Sequence, residues 1–508
     1  MRRLAILPVL FLLGAAPDRV DLLIRGGTIY AGDAEPFVGD VAVRGGRIVQ
    51  VGGRSPSATR VIDARGMAVA PGFIDPHTHV EAMLTSGDAR ERLVLPFLMQ
   101  GVTTAFVGND GGGDPALPSM SARPTGINHA AYAGFGAVRR QVMGEGRRAP
   151  TDAELRSMKA LVAGAMCRGA MGLSTGLYYA PQSFAATPEV VELAREAGTR
   201  GGVYDSHIRD EASYTIGLAA AVDEAIAIGR EAGLAVNISH IKALGVDVQG
   251  QAPAIIAKVE RARAGGQRVT ADQYPWDASG TSLVAALVPL WAQDGGRAAM
   301  LARFDAEPVR LRAEMGENLR RRGGAARLLI TEGREKGRTL ATIAAARRID
   351  PVAVAMAVIR IGDPAVASFN QDERDIAAFM ARPWVMTGSD ASTGHPRVYG
   401  SFARKYAEYV VRRRVLTLRA FVERSSTLAA DTFGLKDRGR IKAGAIADIV
   451  VFDPKQYAAQ ATYDRPTRLA SGVRTVIVAG KVAVANGRAT GIAAGRPLPH
   501  TPTPGTCP

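Results

Sequence analysis

Cysteine and histidine are both scarce in this 508-residue chain, which has two of the first and seven of the second. Two thiols cannot build a four-thiolate zinc site. Cys507 lies in the tail TPTPGTCP, expected to be flexible over 496–508, so no structural disulfide with Cys167 is expected. Aromatic residues make up only 6% of the chain, and no basic stretch is interleaved with them, so no nucleic-acid surface is expected. Acidic residues are outnumbered 48 to 63, a formal charge of +15 that would steer small anionic substrates towards a cleft. Long apolar runs are also missing. The run Leu4–Leu13 is too short to span a bilayer. It follows Arg2 and Arg3 and precedes Gly14-Ala15-Ala16, the three-part layout of a secretory signal over 1–16. Export, to the periplasm, is expected. No cysteine near the cleavage point offers a lipid anchor, and no membrane anchor is expected.

The remaining chain is glycine-rich, with 57 glycines and 28 prolines, and 47% hydrophobic, a composition of globular domains with many loops. Short β-rich runs separated by Gly-Gly turns fill 19–70, and runs of the same style fill 435–495; these predict one small composite β-sandwich. Between them, over 71–434, β-branched runs alternate with helical stretches whose apolar residues recur every three or four positions. Thr151 and Thr187 precede acidic first turns, as N-caps do. Strand–helix repeats of this length predict an α/β fold with about eight parallel strands closed into a TIM-like (β/α)8 barrel. The rhythm breaks near 285–330, where an insertion over one barrel mouth is expected.

Chemistry concentrates at the ends of the strand runs: His77 and His79, Asp110, His207, His240 and Asp390. In such a barrel the active site forms at the C-terminal face, where these ends converge. Alternation along a strand places His77 and His79 on one side and Thr78 on the other. Imidazole and carboxylate oxygen suit zinc and its neighbours. A lone H-x-H is weak; four of seven histidines at strand ends, with Asp390, is a strong pattern.

PGFIDPHTH, GAMGLSTGLYYAPQSFAAT, GGVYDSHIRDEA, ISHIKALG, DQYPWDASGTSL and RPWVMTGSDAS resemble the amidohydrolase superfamily, and within it the N-acyl-D-amino-acid deacylases, the D-aminoacylase family. The resemblance covers nearly the whole chain after the signal segment. It implies one metal site held by His77, His79 and Asp390 and a second held by His207 and His240, with one or two zinc ions. Relatives carry cysteine where this chain has Asp110, in VGNDGGG. An aspartate is the harder ligand and shifts preference towards Mn2+ or Co2+. The implied reaction is hydrolysis of a linear amide by water made nucleophilic on the metal, with Asp390 as the catalytic base. Lys242, Tyr274 and Ser279 or Ser282 would hold the substrate's carboxylate. Arg209, Tyr179 and Arg374 are further substrate-binding candidates, Arg209 being equally suited to a salt bridge with Asp210 or Glu211. His129 is expected to be structural, His395 to line the mouth, and His500 to have no chemical role. The expected partner is a small carboxylate-bearing amide, and self-association into an oligomer is compatible with the sequence. The competing readings are a dipeptidase or cyclic-amide hydrolase of the same superfamily, a non-catalytic scaffold, which predicts eroded ligands, and a basic nucleic-acid module.

Overall fold

A computed structural model describes residues 19–53, 55–117, 120 and 123–507; the expected signal segment 1–16 lies outside the described residues. The strands β1 (Phe73–Asp75), β2 (Val102–Val107), β3 (Asn128–Ala131, resuming at Ala133–Gly134), β4 (Gly172–Gly176), β5 (Val203–His207), β6 (Ala235–Ile238), β7 (Val269–Gln273) and β8 (Val385–Thr387) pair in sequence, every pair parallel. The ring returns to its start just past the strand ends. The amide of Asp390 donates to the carbonyl of His77, and that of His79 to the carbonyl of Ala391. These eight strands form the barrel.

The strands are buried on both faces because helices cover the outside. Leu218–Ala232 shows how: Leu218, Ala221, Val222, Ala225, Ile228 and Ala232 recur at helical spacing and are buried together. Each large aliphatic side chain so buried contributes about 1.5–3 kcal/mol relative to exposure. Thr151 forms a capping box with Glu154 at the start of Asp152–Cys167. Thr187 does not cap; it is the first helical residue of Thr187–Thr199, whose N-cap is Ala186.

Both chain ends enter one nine-stranded sheet. Ile449–Phe452 pairs antiparallel with Ala68–Pro71, which runs parallel to the end of Val20–Ile29. The sheet forks at Val20–Ile29, whose first half pairs with Ala58–Asp63, and it folds over its own core of Ile24, Val41, Ile48, Val69, Ile449 and Ile477.

The excursion between β7 and β8 is wider than the 285–330 stretch that broke the sequence rhythm. It runs from the strand Ala278–Ser282 through five longer helical segments to Ala365–Phe369, and buries its own core from Leu283 to Val366. The stretch GRTLATIAAARRIDP has helical spacing like a barrel helix, but packs into this separate core.

Two expectations about the C-terminus are overturned. Cys167 and Cys507 are joined in a disulfide, with Cα atoms 5.7 Å apart. The tail is not loose: Leu498 donates its amide to the His129 carbonyl, His500 to Gly169 and Thr503 to Arg200. His500 Nε2 lies 2.8 Å from the Arg200 carbonyl, a structural contact. The tail follows the foot of the barrel and delivers Cys507 to the end of the helix that carries Cys167. Buried His129 in β3 shares this seam through its backbone.

Candidate metal centre and catalytic cleft

The end of β5, at His207, and the loops after β1, β2, β6 and β8, with His77 and His79, Asp110, His240 and Asp390, converge on one point. His77, His79, Asp110 and Asp390 form one group whose ligand atoms approach one another closely; Asp110, His207 and His240 form a second, and Asp110 belongs to both. Asp110 Oδ1 is 3.4 Å from His77 Nε2, 3.6 Å from His207 Nδ1 and 3.5 Å from His240 Nε2, while its Oδ2 is 3.5 Å from His79 Nε2. Asp390 Oδ1 is 3.4 Å from His79 Nε2 and 3.7 Å from His77 Nε2. Donors bound tetrahedrally at zinc distances of about 2.0–2.1 Å stand about 3.4 Å apart. The separations therefore suit donors that share an ion. His77 Nε2, His207 Nδ1 and Asp110 Oδ1 are buried with no hydrogen-bond partner among the described residues, as atoms that bind a cation directly would be. The donor set fits one or two divalent ions.

The backbone is strained at three of these residues. Asp110, His240 and Asp390 have φ of +55°, +35° and +49°. Non-glycine residues adopt this region at a cost of order 1–3 kcal/mol, and such outliers cluster at functional sites. Gly388 is required for packing: a Cβ there would stand 2.4 Å from Asp272 Oδ1, so the GSD turn closes against β7 only with glycine.

A buried polar frame braces the ligands from below. Asp75 accepts the amides of His77 and Ser389. Asp272 accepts the His240 amide, and Asn237 bridges Asp272 and Asp205 at 2.9 and 2.8 Å. Asn109 donates to Asp205 at 2.9 Å. Burial pushes the Asp205 carboxyl up to about 7 and that of Asp272 to about 6. Thr78 turns away, as alternation requires, and donates to the Phe106 carbonyl.

Outer contacts fix the imidazoles. Glu211 Oε1 is 3.1 Å from His240 Nδ1, and its Oε2 is 3.7 Å from His207 Nε2, the ring nitrogens that face away from Asp110. At hydrogen-bond distance such a carboxylate sets the tautomer and orientation of a metal-binding histidine, here His240; His207 Nε2 has no hydrogen-bond partner among the described residues. Glu211 also takes Lys242 Nζ at 2.5 Å. Arg397 donates to Asp390 Oδ2 at 2.6 Å, leaving Oδ1 towards the histidines. Burial resists ionisation of Asp390, but Arg397 and His240 hold it below the usual carboxylate range.

The substrate-binding candidates separate. Lys242 lines the cleft beside His240 and Asp390, with Ser279 and Tyr179. Tyr274 is buried, with Lys242 and Arg397 5.6 and 5.2 Å from its ring centre. Tyr179 packs 4.7 Å from the His207 ring. Ser282 borders an adjoining 380 Å³ cavity shared with His79, Asp110, His395 and Arg397, but its hydroxyl caps the helix Leu283–Leu287. Arg209 pairs with Glu224 at 2.8 Å, neither Asp210 nor Glu211, and borders a 670 Å³ outer cavity. Arg374 does not belong to the site: its side chain is 87% exposed and pairs with Asp372. Arg397, Glu211 and Arg322 are cleft residues to which the sequence reading gave no role in the site; Glu211 was named only as a possible partner of Arg209. The first two had a signal in their spacing, seven after Asp390 and four after His207.

An amidohydrolase family model matches residues 60–484. The chain belongs to that family. This amidohydrolase is similar to the D-aminoacylase of Alcaligenes xylosoxydans xylosoxydans, 33% identical over 518 residues, 95% of this chain and 98% of the relative. It is also 34% identical to the N-acyl-D-glutamate deacylase of the same organism, over 91% and 93% of the two chains. A crystal structure of D-aminoacylase superposes with a TM-score of 0.81 at 32% identity, covering 95% of this chain and 100% of the other. An N-acyl-D-glutamate deacylase from Bordetella bronchiseptica, complexed with zinc and a phosphonate inhibitor, superposes at 0.80 with the same identity and coverage. A D-hydantoinase at 18% identity and a TM-score of 0.57 shares the fold.

Proposed function

We propose that this amidohydrolase releases a D-amino acid from an N-acyl-D-amino acid. The observation that carries the reading is the pair of donor groups sharing Asp110, in a chain that aligns end to end with D-aminoacylase and two acyl-D-amino-acid deacylases. The deacylase relative solved with zinc supports zinc as the ion, and a solved D-aminoacylase with a binuclear centre supports one or two ions. A divalent ion held there would supply a Lewis acid and would lower the pKa of a bound water to about 7.

The protein's own groups do the rest. Asp390 takes the proton of the attacking water and returns it to the leaving nitrogen. Arg397 anchors one of its oxygens, keeps it ionised and aims the other. Lys242, Tyr274 and Arg397 form the wall that receives the α-carboxylate, with Ser279 at its edge. Export is part of the reading. The basic-apolar-small layout of 1–16 and the Cys167–Cys507 disulfide both favour an oxidising compartment such as the periplasm.

The test is amine release by zinc-loaded protein from paired N-acetyl-D- and N-acetyl-L-amino acids. Release from the D series is the expected result. Folded protein that hydrolyses neither series, but opens hydantoins or cleaves dipeptides, would overturn it.

A further inference from the structure

Three cations border the two cavities that meet at the metal-ligand cluster: Lys242, Arg322 and Arg397. Two are neutralised at contact distance, Lys242 by Glu211 at 2.5 Å and Arg397 by Asp390 at 2.6 Å. Arg322 has no carboxylate partner among the described residues. It is 2% exposed and lines the same narrow cavity as His207, His240 and Asp390. Its Nε donates to the Ala286 carbonyl at 3.1 Å and its Nη2 to the Tyr178 hydroxyl at 3.2 Å. Both acceptors are neutral, and the Tyr178 hydroxyl donates onward to the Ala285 carbonyl at 2.7 Å. Nη1 is buried with no hydrogen-bond partner among the described residues. The guanidinium sits 5.8 Å from the Tyr214 ring centre, and the Tyr178 ring stacks on His207 at 5.7 Å, so the cation stands one ring beyond a metal ligand.

A buried charge without a counterion is costly, and folded proteins pair such groups. Arg322 is also the residue type best suited to take a carboxylate through two parallel hydrogen bonds. It is held in place by two neutral contacts and has one donor nitrogen free, which is the arrangement of a receptor awaiting its anion. We propose that Arg322 receives a second carboxylate of the substrate, one besides the α-carboxylate, so that the preferred substrates are dianionic N-acyl-D-amino acids. The inference rests on the hydrolase reading above. The second carboxylate belongs either to the amino acid's side chain or to a dicarboxylic acyl group, the two places where an N-acyl-D-amino acid can carry one. Arg322 follows the helix Pro308–Arg321 of the excursion, so this selectivity is carried outside the barrel strands that carry the ligands.

The test uses zinc-loaded wild type, Arg322→Met and Arg322→Lys, with N-acetyl-D-glutamate, N-succinyl-D-leucine and N-acetyl-D-leucine. In wild type, kcat/KM for one dianionic substrate exceeds that for N-acetyl-D-leucine. N-acetyl-D-glutamate in the lead assigns the carboxylate to the side chain; N-succinyl-D-leucine assigns it to the acyl group. In Arg322→Met the ratio of dianionic to monoanionic kcat/KM falls by about 100-fold, mainly through KM, because a buried site built for a charged group rejects ligands unevenly once that group is gone. Arg322→Lys keeps the charge without the fork and recovers part of the ratio. Wild type that prefers N-acetyl-D-leucine overturns the inference without any variant, and so does a variant that lowers all three substrates alike. Calorimetric binding of D-glutamate, succinate and D-leucine to the same proteins separates the two readings. If no amide is cleaved but D-glutamate or succinate binds in an Arg322-dependent way, the carboxylate receptor stands and the hydrolase reading falls.

Discussion

Replacing Asp110 by alanine should convert a two-ion centre into a one-ion centre. The count follows from geometry. Asp110 is the donor common to both groups; without it, His77, His79 and Asp390 remain in one, and only His207 and His240 in the other. Catalytic zinc sites use three protein ligands, so the first group stays competent and the second falls short. Loss of a contact that merely orients a ligand weakens metal binding 10- to 100-fold. Loss of a direct anionic ligand is at least as damaging, so the weaker ion should be lost by about 100-fold or more, about 2.8 kcal/mol. Asp110 has a φ of +55°, which alanine tolerates poorly, so Asp110→Asn is the companion variant. Asparagine accepts that conformation and removes the charge while keeping an oxygen. The assay is elemental analysis after dialysis against buffered zinc, with calorimetric titration for affinity. Wild type should hold two ions, Asp110→Ala one, and Asp110→Asn one tight and one weakened. Two ions bound to Asp110→Ala at wild-type affinity would refute a shared carboxylate, and none bound would show that the groups are not separable.

Glu211→Gln breaks a buried ion pair with Lys242 and a contact to His240 at once. It should cost about 3–5 kcal/mol, seen in calorimetric melting, and weaken zinc 10- to 100-fold; adding Lys242→Met should restore most of the stability. Asp390→Asn should lower kcat by about 10²–10⁴-fold while elemental analysis still finds metal, since His77, His79 and Asp110 remain. Cys507→Ser opens a link between residues 340 apart. The loop-entropy expression gives about 6 kcal/mol as an upper figure, but because the tail can peel away alone a loss of about 2–4 kcal/mol is expected. Early cleavage in the tail by proteinase K, under conditions that leave wild type intact, would check it.

What the sequence made legible was what period two and strand ends encode. His77 and His79 lie just past β1, yet alternation still turns both to one point and sends Thr78 to the neighbouring strand. Asp110, His207, His240 and Asp390 were findable because parallel strands all end at the same barrel face. Arg209, two beyond His207, swings back to Glu224 on the helix Leu218–Ala232, a partner fixed by helix-on-strand packing and not by local spacing. Lys242 does share the side of His240, but against its outer nitrogen: Nζ is 2.8 Å from His240 Nδ1 and is taken up by Glu211. The left-handed backbone at Asp110, His240 and Asp390 had no signal, because none is glycine.

The disulfide was hidden for a different reason. Nothing within a few residues of either cysteine encodes a pairing 340 residues long; the tail must first be seen laid along Thr125, His129, Gly169 and Arg200. The same reason hides Arg322. In the sequence it is one of three consecutive arginines at a helix end, which reads as a solvated face. In the fold, Arg320 pairs with Asp247 and Glu317 at the surface, while Arg322 turns inward to Tyr178 and the metal ligands. A helix end moves three neighbours through very different surroundings, and only packing decides which becomes buried. The division this leaves is testable: the barrel strand ends carry the reacting groups, and the excursion Ala278–Phe369 carries a buried charge with no carboxylate partner among the described residues. Substitutions in the excursion core near Arg322 should therefore change which substrates are cleaved before they change how many ions are bound. An excursion variant that loses metal while keeping its substrate ranking would contradict that division.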